Sequence, residues 1–437
     1  MKRLLAVVLW SVIAAAFIGP GTVTTCAVSG ASHGVALLWA LGFSIVATLV
    51  LQEASARLTS ASGRDLARAL RESYRGGPGG AAVLVLVIGA IGLGCAAYEA
   101  GNLLGAAAGA ELILGIRPWI LALAAGLLAA GLLWLGAPKA VAHALAALVA
   151  LMGVAFLLTA LFVLPPAGEL LRGLVVPRAP AGAGLLVLGL VGTTVVPYNL
   201  FLGSGLAAGQ ELGEIRFGLG VAVVLGGLIS MGVVVVGASL AGPFAFDALA
   251  AELSARLGPW AAHLFGWGLA AAGLTSAVTA PLAAALTARG LFGEGPEDPR
   301  WEPASWRYRA VWLAVLAVGV GFGVSSVRPV PAILLAQAFN GVLLPVAAIF
   351  LFVAVNDRRL MGSRALNGAF ANAVTTPVVA VTVVLGTSGV LRAGAATLGR
   401  PAPGQATLLT VAALVVAVVA YPVTRAIARR RAALGRT

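Results

Sequence analysis

"IGPGTVTT", Ile18 to Thr25, sets a proline between two glycines inside the first apolar segment of the chain. Pro20 has no amide hydrogen, so a helix running through it leaves the carbonyl of Ala16 without its partner. Gly19 and Gly21 on either side permit unwound backbone. In hydrocarbon such backbone persists only where it is buried in protein or lines a wet cavity. Taken alone, the stretch reads equally well as a simple proline kink.

The rest of the chain fixes the setting. Its 437 residues are only 10% charged, and its mean hydropathy is +1.03, whereas a soluble domain carries about 25% charged residues. Apolar runs of the ~20 residues that cross a bilayer are predicted at 4–28, 35–57, 80–109, 117–136, 141–164, 183–209, 217–242, 257–289, 308–325, 329–355, 366–391 and 405–427. The fold class is therefore an all-α polytopic membrane protein, one transmembrane unit over 1–437. No soluble domain is expected, the longest polar insertion being Gly293 to Arg309. With both termini cytoplasmic, the inner segments carry Lys2, Lys139 and nineteen arginines, 21 of the 28 basic residues. That asymmetry is the positive-inside bias. It explains the net charge of +13 without nucleic acid, which is excluded as a partner in favour of the lipid bilayer. The start, Met1-Lys2-Arg3 and an apolar run, has the look of a signal peptide, but the run continues past any cleavage point. Cys26 and Cys95 both fall inside spans, so a structural disulfide is not expected. Twenty-six arginines against two lysines suggest a GC-rich genome.

The sixth span repeats the opening pattern. In "GTTVVPYNLFLGSG", Gly192 to Gly205, Pro197 frees the carbonyl of Thr193 and glycines again bracket the break. Spans one and six correspond if the first ten helices form two five-helix repeats, 4–164 and 183–355, followed by extra spans over 366–427. A matched pair of interrupted helices points to a transporter's midplane site. Each break offers carbonyls at one half-helix end and amides at the other, so the frame accepts a cation, a carboxylate or a zwitterion.

These residues also carry a family resemblance. "GPGTVTTCAVSGASHGVALLW", Gly19 to Trp39, resembles the first-helix signature of the Nramp family of proton-coupled divalent-metal transporters, which reads Asp-Pro-Gly-Asn, a polar stretch, a glycine turn and Leu-Leu-Trp. "GTTVVPYNLFLGS" is similar to the family's sixth-helix Gly-Ala-Thr-Val-Met-Pro-His-Asn segment. "AAAGLTSAVTAPLAA", Ala270 to Ala284, looks like its eighth-helix segment, and Gln337 and Pro345 keep its tenth-helix spacing. The resemblance covers most of the chain. It implies the LeuT-type inverted-repeat fold with broken helices one and six, alternating access, a bacterial inner (cytoplasmic) membrane location and a monomer.

The departures concern the ligands. The family's metal-binding aspartate is Gly19 here, its asparagine is Thr22, and its sixth-helix methionine is Val196. Its two sixth-helix histidines are Tyr198 and Gly203, and its third-helix Asp and Glu are Glu99 and Asn102. No transition-metal ligand set is recognisable, since soft metals are selected by Cys, Met or imidazole. The candidate substrate-binding residues are Gly19, Thr22, Thr193, Val196, Tyr198, Asn199 and Gln337, with Pro20, Gly21 and Pro197 making the breaks. Each neutral polar residue has a competing reading as a helix–helix hydrogen-bonding group. Cys26, one turn past Thr22, reads as a soft ligand or, more simply, as a small residue at a helix contact. Glu99 is the one acid deep in a span, with Asn102 one turn on, and marks a proton or coupling-ion site. Its competing reading is a hydrogen-bonded structural glutamate.

Three functions follow in order. The first is a secondary transporter of a divalent cation such as Mg²⁺ that keeps its waters. The second is transport of a small organic solute, such as an amino acid whose carboxylate meets the amides of Thr22 to Thr24. The third is a non-transporting receptor or scaffold. No cofactor is expected, and no nucleophile–base pair suggests an enzyme.

Overall fold

The computed structural model describes residues 18–432 apart from 78, 137, 138, 296 and 297. The amino-terminal half of the first predicted span, with Ala16 and the basic start, lies outside the described residues, as does Arg436. Eleven helices are long and apolar enough to cross a membrane, and they coincide with predicted spans two to twelve. The chain is a multi-pass membrane protein.

The second half of span one is α1 (Pro20–His33). Span two is α2 (Leu38–Ser62), followed by a short surface helix, α3 (Leu66–Tyr74), whose first turn is capped by Asp65 accepting from the Arg68 amide at 2.9 Å. Spans three to five are α4 (Gly80–Leu114), α5 (Pro118–Leu135) and α6 (Lys139–Phe162). A short helix, α7 (Ala167–Val175), leads to span six, which is split into α8 (Gly184–Thr194) and α9 (Pro197–Leu206). Span seven is α10 (Leu212–Ala238), and α11 (Phe246–Leu257) connects it to span eight, α12 (Trp260–Phe292). Spans nine and ten are α13 (Trp306–Val324) and α14 (Pro329–Ala354). The short α15 (Arg358–Ala365) precedes spans eleven and twelve, α16 (Ala369–Thr397) and α17 (Gln405–Ala432).

The packing partners carry the repeat. Helix α10 lies on α1, and α2 lies on α8 and α9, which is the same pairing moved on by five spans. Likewise α14 lies on α4 as α6 lies on α12, while α4 and α12 face each other as the pair that maps onto itself. This is a LeuT-type arrangement. Where these helices cross, small residues let backbones touch, as expected where lipid removes any hydrophobic drive between helices. At Gly105 on α4, a Cβ would lie 2.0 Å from the Cβ of Pro20. The broken helix is the most enclosed element, with 94% of its spanning stretch buried, against 11% for α17.

A second buried polar region ties the ends of α2, α14, α16 and α17 together. Arg57 on α2 reaches Glu53 with Nε at 3.2 Å and Asn367 Oδ1 with Nη2 at 2.6 Å, and its Nη1 donates to the Ala365 carbonyl. Arg431 donates to Asn356 Oδ1 and to the Asn367 carbonyl, both at 2.5 Å. Asn372 accepts from Asn356 and Asn367, each at 3.0 Å. Arg430 pairs with Asp357 at 2.6 Å and lies 4.7 Å over the Tyr74 ring.

Candidate functional site

The two breaks meet at the centre of the bundle. Gly19 is extended (φ −80°, ψ 173°) and Pro20 is the first helical residue of α1. Val195 (φ −95°, ψ 72°) and Val196 (φ −77°, ψ 121°) are the non-helical link in span six, and Pro197 opens α9. Both prolines therefore stand at first-turn positions, where their missing amide costs nothing. Gly19 is unwound as read, but the reading of Gly21 as an unwinding residue is corrected. Gly21 and Gly192 lie inside α1 and α8, and what they supply is room. A Cβ on Gly21 would fall 2.0 Å from Gln337 Nε2, and one on Gly192 would fall 2.1 Å from the Gln337 carbonyl oxygen.

Neutral oxygen and amide groups line the meeting point. Thr22 and Thr193 join the breaks directly through their hydroxyls, 2.7 Å apart. The Tyr98 hydroxyl on α4 donates to the Gly192 carbonyl at 2.9 Å, and its ring stands edge-on to Tyr198, with centroids 5.4 Å apart. Gln337 is fully buried, its side chain against Gly21 and Gly101, and neither Nε2 nor Oε1 has a hydrogen-bond partner. Asn199, in the first turn of α9, is also fully buried, with both side-chain polar atoms unpartnered. The hydroxyls of Thr24 and Thr25 and Oδ1 of Asn340 are in the same condition. A buried polar group left unpaired costs about 1–3 kcal/mol. Of these residues, Gln337 is set against Gly21 of the first break and Gly192 of the sixth span.

No side chain caps the first turn of α1 or α9, and neither turn contains an acidic residue. The Val23 and Asn199 amides donate to the Gly19 and Val196 carbonyls, each at 3.1 Å. Val196 presents only an aliphatic side chain and is buried at the link. Cys26 lies in the apolar core with Val23 and Ala27. His33, His143 and His263 stay apart, and among the described residues no three His, Cys, Asp or Glu side chains cluster for a metal. What the centre offers is hard, uncharged oxygen, the ligand type of magnesium, calcium and manganese.

Glu99 lies off this centre. One residue along α4 from Tyr98, it is turned by about 100° towards α13, where a Cβ on Gly319 would lie 2.5 Å from its Cγ. It is fully buried, and Asn102 Nδ2 donates to Oε2 at 3.4 Å while Oε1 has no partner. Glu53 near the end of α2 is engaged by Arg57 and Arg216 in ion pairs at 3.2 and 2.7 Å.

A family model described as "Natural resistance-associated macrophage protein-like" matches residues 11–392. The chain belongs to the Nramp family. Curated relatives named "Divalent metal cation transporter MntH" include that of Verminephrobacter eiseniae, 30% identical over 394 residues and covering 84% of each chain. That of Bacillus subtilis is 27% identical over 371 residues, covering 80% of this chain and 84% of the relative. The fold likewise superposes on a manganese transporter of Eremococcus coleocola with a TM-score of 0.70 at 18% identity, covering 96% and 92% of the two chains. Mhp1, a nucleobase-cation-symport-1 family transporter, gives 0.58 at 16% identity, covering 98% and 93%. Within this Nramp chain the positions of Thr22, Thr193 and Gln337 converge, Tyr198 and Asn199 lie in the turn behind them, and Glu99 and Asn102 stand to one side.

The residues that sequence reading missed are on α2. Thr48 donates to the Thr194 carbonyl at 3.2 Å, Ser55 donates to the Leu200 carbonyl at 2.6 Å, and Thr59 meets the Ser204 hydroxyl at 2.7 Å. Together they hold both halves of the broken sixth span. Their spacing of seven and four residues, with Ser44 four earlier, is a one-face helical stripe. That stripe is readable from sequence once sought.

Proposed function

We propose that this Nramp-family protein is a secondary transporter that carries a divalent cation retaining several waters, Mg²⁺ being the best fit, through the meeting point of the two breaks. The observation that supports this is the cluster of unpartnered, uncharged oxygen donors around Gln337 and the joined hydroxyls of Thr22 and Thr193. Stripping a divalent ion of its water there would cost far more than neutral ligands return. A hydrated Mg²⁺ is held through its waters by few protein groups, and amide and hydroxyl groups suit that contact. Access alternates as the repeats rock about the breaks, with the Thr22–Thr193 contact opening to admit the ion. Glu99 is the proposed proton carrier.

A second reading is favoured by the uncapped first turn of α1. The helix start and the lack of a carboxylate in that turn suit the acid group of a zwitterion such as an amino acid.

Uptake by purified protein in liposomes separates the readings. Saturable Mg²⁺ uptake, with Mn²⁺ uptake appearing at micromolar concentration only in a Gly19→Asp variant, is the expected result. Micromolar Mn²⁺ uptake by the unaltered protein overturns the ligand reasoning. Amino-acid uptake without a metal response establishes the second reading. A Glu99→Gln variant whose rate still follows the pH gradient removes Glu99 from the coupling.

A further inference from the structure

The carboxy-terminal spans enclose a cavity that the transport mechanism does not use. It has a volume of about 460 Å³ and lies between α14, α16 and α17, lined by Phe352, Val379, Val383, Val419 and Val423 along its length. Polar groups gather at one end only, where Asn372, Thr424 and Arg431 stand. From Asn372 to Val383 the lining runs eleven residues along α16, or roughly 16 Å at 1.5 Å per residue. The slot is thus long, narrow, apolar and polar-tipped.

Two further observations say what fills it. Helix α17 is the least enclosed span, with 11% of its crossing stretch buried, so a filler between it and its neighbours adds contact where protein supplies little. The last two turns of α17 carry Arg425, Arg429, Arg430 and Arg431, and only Arg430 has a carboxylate partner, Asp357, among the described residues. Arg431 lines the slot itself and has no carboxylate partner among the described residues, and no acidic side chain lines the slot. The positive charge at that end therefore exceeds the negative charge, on the side where the basic loops gather.

We propose that this slot binds one acidic phospholipid, with an acyl chain laid between α14, α16 and α17 and its phosphate at Arg431 and Asn372. Each methylene of the chain leaves no void behind it and adds contact, and basic pockets between spanning helices suit anionic head groups. A zwitterionic lipid fits the apolar slot equally well but cancels its own charge at Arg431. Selectivity therefore resides in the head group and occupancy in the slot. Because Arg431 and Asn372 also hold Asn356 and Asn367, which reach Arg57 on α2, the bound lipid fastens the last two spans to the transporting bundle.

The test uses the full chain, delipidated in detergent and titrated with phosphatidylglycerol or phosphatidylcholine of identical chains, followed by native mass spectrometry and thermal unfolding. One retained phosphatidylglycerol and a Tm rise of several degrees are expected, with at least tenfold weaker binding of phosphatidylcholine. Ala420→Trp, which fills the slot, is expected to lose both the retained lipid and the rise. Ala380→Trp serves the same purpose from the opposite wall if the first variant fails to fold. Arg431→Gln keeps a bound lipid but levels the two head groups. Equal stabilisation by both lipids, an unchanged rise in the tryptophan variants, or the same rise from inorganic phosphate alone overturns the proposal.

Discussion

Two buried polar regions of this molecule have opposite characters. Around the breaks, Gln337 and Asn199 have all their side-chain polar atoms buried and none partnered. At the end of α2, Arg57 has partners for Nε and both terminal nitrogens, and Asn356, Asn367 and Asn372 exchange hydrogen bonds with one another and with Arg431. Both regions are buried, so burial does not distinguish them. Satisfaction does. A complete network serves the fold, because each member would cost free energy if its partner left. An incomplete one is tolerated where something outside the chain completes it.

Four substitutions sharpen or break this contrast. The largest effect is expected at the satisfied region. Arg57→Met leaves Asn367 Oδ1 and the Ala365 carbonyl without the guanidinium, and is expected to lower unfolding stability by about 3 kcal/mol. Transport per folded molecule should persist, read as thermal unfolding alongside liposome uptake. A transport loss without a stability loss would mean that the network belongs to the mechanism. Gln337→Leu should do the reverse. Removing two unpaired polar atoms is close to neutral for stability, within about 1 kcal/mol, while uptake falls at least tenfold. Strong destabilisation would show that Gln337 is paired in the working protein and is a structural residue.

Thr22→Val removes one hydroxyl of the bond that joins the breaks. About 1 kcal/mol of stability is expected to go with it, together with faster leak through the closed state, measured as counterflow of loaded liposomes. Equal leak in wild type and variant would place the closing contact elsewhere. The smallest effect is reserved for the loop before α13. There the Arg300 guanidinium and the Glu294 amide hold the Asp298 carboxyl well below the usual carboxylate range. Its folded pKa is depressed, so its stabilising contribution is present above the unfolded value and fades as pH falls through the folded one. Asp298→Asn should therefore lower Tm slightly at pH 7 and converge with wild type in strong acid. A constant difference at all pH values would assign the effect to packing.

Much of the fold was legible in the sequence because lipid leaves few choices. A segment of about 20 apolar residues must satisfy its backbone internally, so Leu38–Ser62 and its successors could be placed to within a few residues. The breaks were equally visible, since proline cannot donate and the paired positions of Pro20 and Pro197 leave little else to infer. The role of the neighbouring glycines was not. Gly21 and Gly192 sit in regular helix, and their purpose is the approach of Gln337, more than 140 residues away in the chain. Nothing local to "GPGT" encodes that contact.

The sequence by itself determined the position of spans two to twelve, the two interruptions and the lack of acids and soft ligands beside them, because these follow from local chemistry in a low-dielectric solvent. Only the tertiary structure decided which polar groups found partners. It turned Tyr98 towards the break and Glu99 away from it, set the hydroxyls of α2 against the sixth span, and left Gln337 without a partner. Hydrogen bonding between helices depends on rotation and crossing about axes that side chains from many spans fix together, and no single stretch of chain contains that information.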